Sequence, residues 1–361
     1  MIKGLYVHVP FCSHICGYCD FARSRYDQKR AQEYLGHLKR ELDGIGQDSF
    51  ESIYIGGGTP TALSSEQLEE LLDILSRFRV TKEYTIEINP ETFDLQKGLL
   101  LRKYGLNRAS IGIQSFDERL LDHMGRHHRN DDVIRTFEIL DQVGIKNRSI
   151  DLMYGFNIQT VESLASDLEK AVSLDITHVS IYDLEVHPKT LMGRKNYRHV
   201  DDETDYLMYR KIVDYLNSHG FVQYETSNFA LEGCQSYHNR LYWLYEDFYG
   251  AGLSAAGKIG NIRYENTAEM KKYCQDEYRG ETLTLTDDDI IFEALMMNLR
   301  LLEGIDIEKF DQRFKTDLLA RYASAVERNI GKGLLQLSGG HLKVTDQGLF
   351  VLNDILVDFM E

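Results

Sequence analysis

Three cysteines, Cys12, Cys16 and Cys19, stand at a C-x3-C-x2-C spacing directly after the apolar run Leu5-Tyr-Val-His-Val9. Thiolates are the preferred protein ligands of iron–sulfur clusters, and three of them on one tight loop can hold three corners of a cubane while the fourth iron stays open. An open iron can take up a small molecule through oxygen or nitrogen and pass an electron into it. The same residue types admit a second chemistry, a structural Cys3His zinc site completed by His8 or His14. Zinc modules usually bring their ligands as two separated pairs, and no second C-x2-C pair is present. The triad alone leaves both chemistries open, so the surrounding elements have to decide.

The chain has 361 residues, of which 43% are hydrophobic, enough for one large domain and a smaller one with real cores. Its 41 Lys and Arg against 57 Asp and Glu give a formal net charge of −16, a field that repels phosphate backbones. Nucleic acid is therefore not an expected partner. No apolar run has the length of a signal peptide core or a membrane span, and five cysteines with three in one loop do not form a disulfide framework. A cytoplasmic protein is expected, with Cys234 and Cys274 as ordinary packed residues.

Up to about residue 186, short β-branched runs alternate with amphipathic stretches. The runs are Leu5 to Val9, Ser52 to Ile55, Tyr84 to Ile88, Ala109 to Ile113, Ser149 to Met153 and His178 to Leu184. Helical periodicity marks Ala31 to Leu42, Glu66 to Phe78, Asp132 to Val143 and Val161 to Leu174. Repeated strand-then-helix units predict an α/β fold with a parallel sheet. Six units are too few to close an eight-stranded barrel, so the expectation is a partial, TIM-like (β/α)6 barrel with an open side. Working residues of such barrels sit in loops at strand C-termini, and the cysteine loop follows the first strand.

The second strand runs into Gly56-Gly57-Gly58-Thr59-Pro60, where the absence of side chains lets backbone amides approach a ligand or a neighbouring loop. Neither a P-loop nor a dinucleotide fingerprint has this spacing. Glu87, Gln114 and Asp151 each place a polar group in or at the end of an otherwise apolar run. Several such groups on one rim are the fittings of a ligand cleft.

The segments Tyr6-Val-His-Val-Pro-Phe-Cys12, Cys16-Gly-Tyr-Cys19-Asp-Phe21, Gly56-Gly-Gly-Thr-Pro-Thr61, Ile111-Gly-Ile-Gln-Ser-Phe116 and Asp151-Leu-Met-Tyr-Gly155 together resemble the radical S-adenosylmethionine (SAM) superfamily. More narrowly they resemble the branch that contains oxygen-independent coproporphyrinogen III oxidases and HemW heme chaperones. The resemblance implies that Cys12, Cys16 and Cys19 bind a [4Fe-4S] cluster whose open iron takes the amino and carboxylate groups of SAM. It implies SAM contacts from Tyr6, Tyr18, Gly57, Gly58, Thr59, Glu87, Gln114, Arg126 and Asp151. The chemistry agrees, because SAM carries an ammonium, a carboxylate, a sulfonium and a ribose, and Arg126 can pair with the carboxylate.

Beyond residue 200 a helix is expected to about 218, then a short strand and loop. The aromatic segment Tyr237-His-Asn-Arg-Leu-Tyr-Trp243 follows, with Tyr245, Phe248 and Tyr249 close behind. A histidine among aromatic residues is commonly a hydrogen-bonded core residue, yet imidazole beside flat walls is also what a heme pocket supplies. His238-Asn-x-x-Tyr-Trp243 resembles the H-N-x-x-Y-W motif of the chaperones, which implies His238 as a heme ligand. From about 286 come helices over Ile290 to Leu302, Ile307 to Phe314 and Leu318 to Asn329. A hairpin around Gly339-Gly340 and a closing helix over Gln347 to Met360 complete a small α+β, winged-helix-like unit. The expected division is 1–225 as the barrel, 226–285 as a connecting segment and 286–361 as the C-terminal domain.

Three functions compete: a heme carrier, an oxidase that decarboxylates coproporphyrinogen III, and a related radical SAM methyltransferase. Oxidases extend the cysteine motif by a fourth cysteine two residues on, where this chain has Phe21, and they carry a longer segment ahead of the first strand. Both differences point to the heme chaperone. Its implied partners are heme, a heme-accepting protein such as a membrane enzyme of the respiratory chain, and a second copy of the chain. A cluster of this kind is also able to cleave SAM, so slow turnover is compatible with a carrier.

Overall fold

A computed structural model describes residues 2–360. Six strands, β1 (Gly4–Val9), β2 (Ser49–Gly57), β3 (Arg79–Ile88), β4 (Arg108–Gln114), β5 (Asn147–Tyr154) and β6 (His178–Asp183), lie side by side in chain order, every neighbouring pair parallel. Parallel strands buried on both faces read as near-continuous apolar runs, which is why Leu5, Val7, Ile53, Ile55, Ile86, Ile111 and Ile150 are all fully buried. Crossover helices cover the outer face: α1 (Gln28–Asp43), α2 (Ser65–Leu75), α3 (Leu95–Lys103), α4 (Glu118–Met124), α5 (Asn130–Val143) and α6 (Val161–Ser173). Side-chain oxygens of Asp27 and Ser64 accept from the amides of Arg30 and Gln67, capping α1 and α2 where the chain turns off the sheet.

Helices α3 and α4 are absent from the periodicity reading. The α3 sequence LQKGLLLRK has no clean apolar stripe, and Gly98 in its middle is there for packing. A Cβ on Gly98 would lie 2.6 Å from Ile139 Cγ2 of α5.

Residues 226–285 are not a connecting segment, which corrects the expected boundary at 225. After α7 (Asp202–Ser218), the short strand Asn228–Ala230 pairs antiparallel with β6, and α8 (Tyr237–Trp243) crosses beneath the barrel. The chain then enters β7 (Phe248–Ala251), which pairs parallel with β1 on its free edge. Strands β8 (Ala256–Ile259), β9 (Ile262–Asn266) and β10 (Arg279–Thr284) extend the same sheet antiparallel, and with Val222–Gln223 pairing on Asn228–Ala230 at the other edge it holds 12 strands among the described residues. Tyr273 and Ala251 belong to the same continuous core as the barrel strands.

The C-terminal unit has its own core, built on Ile291, Leu295, Leu299, Phe310, Leu342 and Ile355, and a three-stranded sheet ordered Ile305–Asp306, His341–Val344, Leu335–Ser338. This is the expected winged-helix-like arrangement. Its first helix begins at Asp287, with Thr286 and Asp289 capping each other, so the three acidic residues lie in the first turn. Two expected helices are interrupted, because Tyr322 (φ −114°, ψ 28°) and Val351 (φ −118°, ψ 26°) leave the helical basin. No described helix is long and apolar enough to cross a membrane.

Candidate functional site

The loop after β1 is tied to the turn after β2. Gly58 N donates to Val9 O at 2.9 Å and Thr59 N to Phe11 O at 2.8 Å, while Phe11–Cys12 pairs with Ser24–Arg25 to close the cysteine loop. Each of the three consecutive glycines answers to a different neighbour. A Cβ on Gly56 would stand 2.7 Å from Glu87 Oε1, one on Gly57 (φ 112°) 2.7 Å from the His8 ring, and one on Gly58 2.9 Å from Cys12 Sγ.

Cys12, Cys16 and Cys19, none in a disulfide, line one cavity of about 590 Å³ at the C-terminal ends of the strands. Tyr18, Gly57, Gly58, Thr59, Glu87, Gln114, Arg126 and Asp151 line the same cavity. Tyr6 is not among its lining residues. Its hydroxyl lies 3.0 Å from His8 Nδ1 and its ring faces Tyr54, so it stands behind the wall. Cys234 and Cys274 do not line the cavity.

Burial and the nearby Asp151 carboxylate push Glu87 up to about 7, against hydrogen bonds from Tyr54 Oη (2.9 Å) and Gly57 N (3.1 Å). Burial likewise pushes Asp151 up to about 6, opposed by Ser180 and Ser110. Two carboxyls in one cavity thus sit above their ordinary values, and a nearby cation would favour their charged forms. Arg126 donates to Gly112 O and, at 3.1 Å, to Asn89 Oδ1; its Nη1 lies 3.9 Å from Cys16 Sγ and its buried Nε has no partner. Gln114 adopts a left-handed conformation (φ 67°) where β4 slips register against β5, which turns its side chain into the cavity.

These residues fit the implied cofactors. Three free thiols share a cavity wall, the first backed closely by Gly58, an unsatisfied buried guanidinium N–H is open to an acceptor, and two buried carboxyls with raised pKa values suit a cation. Sequence reasoning missed Tyr54 and Asn89 as positioning residues. Tyr54 precedes the glycine turn by two positions and Asn89 follows Glu87 by two, but only the folded sheet brings Asn89 to Arg126.

His238 does not itself line this cavity, although its neighbours Ser236 and Asn239 do. The side chain is 1% exposed and lies under the N-terminal ends of the strands, stacked on Tyr54. Its Nδ1 is hydrogen-bonded to Ser52 Oγ at 2.9 Å and its Nε2 to Tyr242 Oη at 2.7 Å, so neither nitrogen is free for a metal. Burial lowers its pKa to about 3. The neighbouring aromatic residues pack on one another rather than opening a flat slot, with Tyr242 edge-on to Phe248 at 4.5 Å. His128 is fully buried and His127 stacks on His14 at 3.7 Å, so only one of this histidine pair faces solvent.

Comparison with known proteins agrees with this architecture. A model of the radical SAM superfamily matches residues 6–171, and a model of the HemN C-terminal domain matches 285–351. The chain is 35% identical to the heme chaperone HemW of Bacillus subtilis over 99% of both chains, and 32% identical to the heme chaperone HemW of Escherichia coli over 99% of this chain and 98% of that one. Among solved structures, coproporphyrinogen III oxidase (HemN) of E. coli superposes with a TM-score of 0.88, covering 99% of this chain and 90% of that one at 24% identity. That likeness speaks to the fold, a partial barrel with a C-terminal domain.

Proposed function

The chain belongs to the HemW heme-chaperone family of radical SAM proteins, and on that premise we propose that it binds heme and hands it to acceptor proteins, with a [4Fe-4S] cluster and SAM as bound cofactors. The observation that carries the reading is similarity along the whole chain to proteins of that name, coupled to a cleft whose residues suit both cofactors.

Within the cleft, Cys12, Cys16 and Cys19 would hold the cluster, which supplies an open iron for SAM and an electron for its sulfonium. Arg126, fixed by Gly112 O and Asn89, would offer its free Nε–H to the SAM carboxylate. Glu87 and Asp151 would meet the positive charges of SAM as carboxylates, because a nearby cation offsets the burial that raises their pKa values. Tyr18, Gly57, Gly58, Thr59 and Gln114 complete the walls, and Tyr6 acts from behind them through His8. In the conformation described, both ring nitrogens of His238 are hydrogen-bonded, so iron ligation there would first require Ser52 or Tyr242 to let go.

The reading extends to a reducing cytoplasm, in keeping with five free cysteines, to a respiratory membrane enzyme as heme acceptor, and to a dimer formed on cluster loading. The deciding experiment reconstitutes the cluster anaerobically, then follows heme uptake, transfer to an apo-heme protein and coproporphyrinogen III turnover in parallel. Saturable heme binding and transfer without decarboxylation is expected. Decarboxylation without heme transfer would replace the carrier with an oxidase.

A further inference from the structure

At the rim of the cleft, Asp183 at the end of β6, His199 in the segment before α7 and Asp205 in the first turn of α7 bring their ligand atoms within 4.8 Å of one another. His199 Nδ1 lies 2.9 Å from the carbonyl of Val200, which can only accept, so Nδ1 carries the proton and Nε2 turns inward. Nε2 is 2.5 Å from Asp183 Oδ1 and 3.9 Å from Asp205 Oδ1. A lone pair and a carboxylate oxygen at that separation repel unless a proton or a metal cation lies between them. A second proton on the ring would satisfy Asp183 alone. Its nitrogen would stand 3.9 Å from Asp205 Oδ1, too far for a hydrogen bond, and that buried oxygen would still lack a hydrogen-bond partner. Among the described residues, neither carboxylate forms an ion pair with lysine or arginine.

The backbone is shaped around these atoms. Gly155 has φ 89°, and a Cβ there would overlap both His199 Nε2 and Asp183 Oδ1. Val200 N donates to Gly155 O at 3.1 Å and Phe156 bridges to His199, so the glycine that makes room also anchors the histidine. An imidazole oriented by a backbone carbonyl through its far nitrogen is the usual support of a metal-ligating histidine. One nitrogen and two carboxylate oxygens suit first-row divalent ions.

We propose that Asp183, His199 and Asp205 bind a divalent first-row transition-metal ion at the rim of the cleft, separate from the cysteine loop. The site stands on its own residues and does not depend on the heme-carrier reading.

Mn²⁺ is the probe, because it is paramagnetic and prefers oxygen and nitrogen to thiolate. Cluster-loaded protein is titrated with Mn²⁺ while free ion is counted by electron paramagnetic resonance. One bound Mn²⁺ per chain is expected, with affinity at least tenfold weaker in both His199→Ala and Asp205→Asn and with cluster iron unchanged. Asp205→Asn keeps the shape of the side chain, so it separates ligand loss from misfolding. Equal binding by wild type and both variants, or no binding by wild type at millimolar Mn²⁺, would overturn the proposal.

Discussion

Gly58 backs directly onto Cys12: a Cβ at position 58 would stand 2.9 Å from the Cys12 sulfur and from the Phe11 carbonyl. The turn after the second strand and the loop after the first are thus one unit, and the glycine sets how deep the first thiol can sit. Gly58→Ala is expected to push the cysteine loop outward and cut reconstituted iron and sulfide by more than half, with the circular dichroism of the fold retained. Gly46→Ala, where a Cβ meets nothing within 4 Å, serves as the control. Full cluster loading in Gly58→Ala would show that the loop tolerates the displacement.

Only the thiols of the cavity wall are expected to matter for iron. Serine at Cys12, Cys16 or Cys19 should each abolish the cluster absorbance, whereas Cys234→Ser and Cys274→Ser, away from the cavity, should leave iron content at the wild-type level. Loss of iron in either of the latter two would place a further ligand outside the loop.

The Glu87 and Asp151 carboxyls link stability to pH. Both are raised, so between the unfolded value and the native one the folded protein holds protons that the unfolded chain has released. Stability therefore falls as pH rises, for Glu87 between its ordinary 4.5 and about 7. At 1.36 kcal/mol per pH unit the Glu87 contribution is at most about 3 kcal/mol. Urea unfolding of the cofactor-free protein at pH 5 and pH 8 measures it, and Glu87→Gln should flatten the difference. A cofactor-free protein more stable at pH 8, with Glu87→Gln unchanged, would contradict this assignment.

His238 is hydrogen-bonded through both ring nitrogens, and its replacement is expected to act on stability. His238→Ala removes hydrogen bonds to Ser52 and Tyr242 and opens a cavity under Tyr54, for a loss of about 2–4 kcal/mol. Heme affinity per folded molecule should stay at the wild-type value. Burial depresses its pKa to about 3, so this neutral imidazole stabilises the fold above pH 6.5 and progressively less as pH falls toward 3. A large drop in heme affinity in a variant that remains folded would restore the histidine as a ligand.

Much of the barrel was legible because its strands are buried on both faces and its helices on one, so continuous apolar runs and a period of 3.6 residues report burial directly. The α3 helix was not, since it packs through Gly98 rather than through an apolar stripe. Strands β7–β10 were hidden for a related reason. They are short, β10 is exposed along its whole length, and the set is joined to the barrel by the pairing of β7 on the distant β1, which no local pattern encodes.

The sequence by itself determined the cysteine loop, the glycine turn and the polar strand ends, because each is set by chemistry that only a few residue types and spacings can perform. Tertiary structure alone decided which of those groups share a cavity, that His238 has both nitrogens occupied, and that Asp183, His199 and Asp205 meet. The reason is physical: a ligand atom is made available or unavailable by its hydrogen-bond partners, and those partners come from strands and loops far apart in the chain.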